Sequence, residues 1–85
     1  MSNHATSFQG DVLEAIRTSI AGVIPDARVD VSGGGGHYTI AVTATAFAGK
    51  GLVDSQRMVY GAIAHLMKGD DAPVHAVDSL RTQTP

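Results

Sequence analysis

The sequence contains no cysteine and no tryptophan. The first absence excludes disulfides, thiolate zinc sites and a nucleophilic thiol, so a chain of 85 residues has no covalent cross-link to support it. Its stability has to come from packing or from a partner. Aromatic residues are scarce too, two Phe and two Tyr, which makes the 44% apolar content mainly aliphatic. Six Lys and Arg against eight Asp and Glu give a formal charge of −2. Sequence-independent nucleic-acid binding leans on clustered positive charge, which this balance does not supply. No run approaches the ~20 apolar residues of a membrane helix. The opening "MSNHATSFQGD" has neither the basic nor the apolar region of a secretion signal. A single soluble, cytoplasmic domain over residues 1–85 is expected, with residues 1–8 as a disordered tail.

What is present reads as five elements. In "DVLEAIRTSIAGVIP", Val12, Leu13, Ile16 and Ile20 recur at helical spacing, and Asp11 followed by Glu14 has the form of a capping box. A first helix is expected from Asp11 to Ala21, with Gly22 as a left-handed cap and Pro25 preventing continuation. "ARVDVS" and "HYTIAVTAT" alternate as strands, the second with Tyr38, Ile40, Val42 and Ala44 on one face and His37, Thr39 and Thr43 on the other. Gly33, Gly34, Gly35 and Gly36 join them in a connection read as longer and looser than a tight hairpin, mobile until something binds it.

After the turn-rich "FAGKG", Leu52, Val59, Ile63, Leu66 and Met67 share a helical stripe, predicting a second helix from Val53 to Lys68 closed by Gly69. "VHAVDSLRTQT" reads as a third strand in which Val77 and Leu80 stand three apart. Strict alternation needs an even separation, so a bulge is expected near Asp78 and Ser79.

This order predicts a compact α+β fold with both helices on one face of a three-stranded mixed sheet. The helix between the second and third strands makes them parallel neighbours, roughly 4.8 Å apart. His37 opens one and His75 the other, which brings both to the same end of the sheet beside the glycines. Alternation sends the rings to opposite faces, since His75 shares parity with inward Val77 and His37 with outward Thr39.

With those residues assembled, the chain resembles the BolA family almost from end to end. "VSGGGGHYTIAV", "FAGKGLV", "RMVYGAI", "VHAV" and the closing "TQTP" follow in that family's order and spacing. The resemblance implies a class II KH-like fold and a noncatalytic role as partner of monothiol glutaredoxins. In that family the pair holds a 2Fe–2S cluster with glutathione, or uses it in iron trafficking and cluster delivery. By the resemblance, the family's C-terminal histidine falls on His75, expected as an iron ligand. The second ligand, Cys or His, comes from the loop between the first two strands; the usual Cys position is glycine here, leaving His37.

Early in the second helix, where many relatives carry Arg-His-Arg, this chain has Ser55, Gln56 and Arg57, closer to the subgroup with Lys and Gln. These three and the glycines are expected at the partner interface. The third strand carries one residue more than the family's usual spacing, which agrees with the bulge. Because clusters are held mainly by thiolates, with histidines able to replace two of them, a Cys-free chain cannot hold one alone.

Other readings draw on the same residues. A KH-like nucleic-acid-binding transcription regulator would use Lys50 and Arg57, and a homodimer could act by sequestering a partner. The glycine run lacks the following helix and the Lys-Ser/Thr pair of a phosphate loop, and "FAGKG" falls short of a GXXG clamp. Asp30, Ser32 and His37 match hydrolase residue types without a nucleophile elbow. His4 and His65 are read as solvated or structural.

Overall fold

The computed structural model describes residues 11–85. The expected tail, with His4, lies outside the described residues. The chain forms α1 (Val12–Val23), β1 (Arg28–Gly34), β2 (His37–Thr43), α2 (Leu52–Ile63) and β3 (Ala76–Gln83), with 3-10 turns at Thr45–Phe47 and Ala64–Leu66. The sheet order is β1-β2-β3, antiparallel between β1 and β2 and parallel between β2 and β3. Alternation along β2 sends Tyr38, Ile40 and Val42 into one apolar cluster with Ile16 and Ile20 of α1 and Val59 and Ile63 of α2. Both helices therefore cover one face, as expected, and His37 and Thr39 stand on the other.

Helix α1 starts where the capping logic puts it. Asp11 Oδ1 accepts from the backbone N–H groups of Leu13 at 2.9 Å and Glu14 at 3.3 Å. Glu14 does not complete a capping box; its carboxylate turns to Arg17, 2.6 Å away. The helix also outruns its expected end, because Gly22 is an ordinary helical residue and not a cap. Pro25 sets the terminus: it biases the preceding residue toward extended backbone, and Ile24 sits at φ −109° while still donating to Ile20 O at 2.8 Å.

The second helix is shorter than the periodicity suggests. Its last turn tightens into the 3-10 segment Ala64–Leu66 and does not continue to Lys68. In a continuing α-helix the Leu66 carbonyl would face the N–H four residues on. Here it accepts from Val74 at 3.1 Å and ties down the segment that enters β3. Gly69 takes the positive φ expected of it, at +92°. Leu52, assigned to the buried stripe, is 65% exposed, because the helix begins there and its first turn overhangs the core.

The glycine run differs most from expectation. Gly33 and Gly34 belong to β1, pairing with Tyr38 and His37, so the connection is the two-residue turn Gly35–Gly36. Both turn residues have positive φ, +63° and +89°, the condition of the tight turn whose twist matches a hairpin. A long loose loop is thus replaced by a closed ladder. Gly33, at φ +123°, has no room for a Cβ, which would overlap the His37 carbonyl, whereas Gly34 faces open space.

These adjacent glycines should respond with opposite sign. Gly33→Ala is expected to destabilise by more than about 1 kcal/mol, and Gly34→Ala to stabilise by about 0.4–1 kcal/mol through the unfolded chain. Denaturant midpoints of the two variants against the parent check the contrast.

Candidate functional site

The bulge in β3 lies where parity put it. Tyr38 pairs with Val77 and Thr39 with Ser79, which leaves Asp78 as the unpaired extra residue. Beside this register shift the Asp78 carboxylate meets His37, Oδ1 to Nδ1, at 3.1 Å. Both side chains are more than half exposed, 58% for His37 and 57% for Asp78, so the pair is a surface contact that solvent and a partner can reach.

His75 is held by the turn that precedes His37. The Gly36 carbonyl accepts from the backbone N–H of His75 at 2.8 Å and from that of Ala76 at 3.0 Å. In a regular strand successive N–H groups point to opposite sides. Two consecutive ones aimed at a single oxygen mean that alternation fails at His75, and the parity argument about opposite faces does not extend to it. A Cβ on Gly36 would lie only 2.9 Å from Cγ and 3.0 Å from Nδ1 of the His75 ring. Gly36 is buried although it sits in a turn, and the imidazole lies against it.

The structure therefore gathers His37, Gly36, His75 and Asp78 at one end of the sheet. Among the described residues no group of three or more His, Cys, Asp or Glu could hold a metal ion. With no cysteine in the chain, a metal centre at this end would need its remaining ligands from another molecule.

The residues expected at the start of α2 are placed elsewhere. A helix joining parallel neighbours runs back along them, so residues 52–57 lie toward the end of the sheet opposite the histidines. Ser55 is 4% exposed and its hydroxyl donates to Gly51 O at 2.7 Å, which withdraws it from any interface. Gln56 Nε2 donates to the Leu80 carbonyl at 3.3 Å and fastens α2 to β3. Arg57 is exposed, 4.0 Å from Asp54. Lys50 is exposed in the turn before α2, its backbone N–H bonded to Phe47 O at 3.0 Å. His65 lies within 3.3 Å of the Ser19 hydroxyl and links the end of α2 to α1, the structural role expected of it.

Periodicity missed one surface. Leu52, Val53 and Tyr60 are large apolar side chains exposed on α2, at 65%, 59% and 39%. Tyr60 lies two turns beyond Leu52, about 12 Å nearer the histidine end at ~1.5 Å per residue. The signal was available, since Val53 and Tyr60 fall off the core stripe that Val59 and Ile63 define.

The architecture defines an α+β domain with a mixed three-stranded sheet and one open, polar face. The family model described as BolA-like protein matches residues 5–85, and the chain belongs to the BolA family. A BolA protein homologue from Coxiella burnetii is 30% identical, with a TM-score of 0.73 over 89% of this chain and 94% of that one. BolA1 from Mus musculus is 25% identical, with a TM-score of 0.67 over 100% of this chain and 74% of that one. The BolA domain of SufE1 from Arabidopsis thaliana shares the fold at 23% identity, with a TM-score of 0.74 over 92% of this chain and 96% of that one. No curated protein matches. No helix among the described residues is long and apolar enough to cross a membrane.

If Gly36 makes the room in which the His75 ring rests, Gly36→Ala should shift the His75 imidazole resonances and lower stability. Gly35→Asn, placed at φ +63° in open space, should leave those resonances unmoved. Two-dimensional NMR of the aromatic region reads both.

Proposed function

We propose that this protein is a noncatalytic iron–sulfur adaptor. It docks on a monothiol glutaredoxin and contributes His75 and His37 to a 2Fe–2S cluster that the glutaredoxin and glutathione complete, in iron–sulfur trafficking or iron regulation. The observation that carries this reading is the convergence of both histidines on Gly36, in a chain without a thiolate of its own. When bound, the cluster supplies iron that accepts imidazole nitrogen in place of two thiolates. The residues of this chain do the positioning: Gly36 seats His75, and the first rung of the ladder seats His37. The apolar side chains on α2 support a protein partner. An interface of about 800 Å² per partner is roughly 30 Å across, wide enough to span from the histidine end to Leu52.

The experiment is anaerobic cluster reconstitution with a monothiol glutaredoxin and glutathione, followed by visible absorption and circular dichroism. The parent should give a spectrum distinct from the glutaredoxin homodimer, His75→Ala should lose it, and His37→Ala should alter it. Tyr60→Ala should weaken complex formation about tenfold without changing the spectrum of the complex that forms. If the parent leaves the glutaredoxin spectrum unchanged, the shared cluster is wrong. Salt-sensitive duplex binding that depends on Lys50 and Arg57 would then favour the nucleic-acid reading, and a stable homodimer the sequestration reading.

A further inference from the structure

We infer that Asp78, at the β3 bulge, is a positioning residue that sets the tautomer of His37 and leaves Nε2 as its metal-ligating atom. The inference rests on His37 being a ligand and adds the residue that orients it. The geometry begins with the register. Asp78 has no cross-strand partner, because Tyr38 pairs with Val77 and Thr39 with Ser79. Following inward Val77, Asp78 falls on the outer face that His37 occupies, and its carboxylate reaches that ring.

Chemistry then assigns the proton. An ionised carboxylate only accepts, so in the 3.1 Å contact between Asp78 Oδ1 and His37 Nδ1 the imidazole is the donor. A neutral ring with its proton on Nδ1 carries its lone pair on Nε2. Among the described residues no hydrogen bond engages Nε2, and the ring is more than half exposed, so that lone pair faces outward. A carboxylate behind a ligating histidine fixes ring orientation and raises ligand basicity. The backbone at His75 is placed by the Gly36 carbonyl.

The test has two arms on the full chain. In the apo protein, long-range ¹H–¹⁵N correlation of the imidazoles should show His37 as the Nδ1–H tautomer. Asp78→Ala should move it toward Nε2–H, and Asp78→Asn, which keeps an acceptor oxygen, should largely retain it. In the reconstituted complex with monothiol glutaredoxin and glutathione, Asp78→Ala should lower cluster retention about 10–100-fold. It should have no further effect in a His37→Ala background. A His37 tautomer indifferent to Asp78→Ala overturns the inference. So does a cluster that His37→Ala perturbs and Asp78→Ala does not, which leaves His37 as a ligand with Asp78 uninvolved. A tautomer that shifts while neither variant touches the cluster overturns the ligand role of His37 itself and the inference with it.

Discussion

One carbonyl organises the end of the molecule that matters. Gly36 O receives two consecutive N–H groups, His75 and Ala76, and so couples the hairpin turn to the start of a strand almost forty residues on. A second backbone bond, from Val74 to Leu66 O, and the burial of Val74 in the core hold the segment that leads to it. The donors share an acceptor because the turn is tight: with Gly35 and Gly36 both at positive φ, the Gly36 carbonyl is carried to the edge of β2 where β3 pairs. The missing Cβ at Gly36 then admits the His75 ring. A turn residue buried under an imidazole is an arrangement only glycine permits.

From this constraint follows the division of the sheet. Its inner face, from Tyr38 to Val42, is committed to an aliphatic core with Ile16, Ile20, Val59 and Ile63, and its outer face is left to His37, Thr39 and the bulged Asp78. The bulge allows β3 to keep both Val77 and Leu80 packed against the core despite their odd separation. Asp78, beside the bulge on the outer face, is the residue that meets His37.

Much of this was legible in the chain. Element order, the parallel pairing and the bulge follow from periodicity, connection length and parity, because each depends on spacing along a single segment. The glycine run was misread since four glycines have the same composition in a loop and in a ladder, and only pairing with Tyr38 and His37 separates the two. Ser55 and Leu52 exchanged burial for the same kind of reason. At a helix start the angle at which the first turn leaves the core decides exposure, and that angle belongs to the packing of α2 on β3 through Gln56.

The sequence by itself determined which atoms are available: two histidines without a thiolate, an acidic residue one too many for regular alternation, and glycines where a side chain cannot go. Tertiary structure decided which of those atoms meet. The Asp78–His37 contact and the seating of His75 on Gly36 join residues about forty positions apart. No local propensity encodes such distances, and they arise only once the parallel ladder between β2 and β3 has closed.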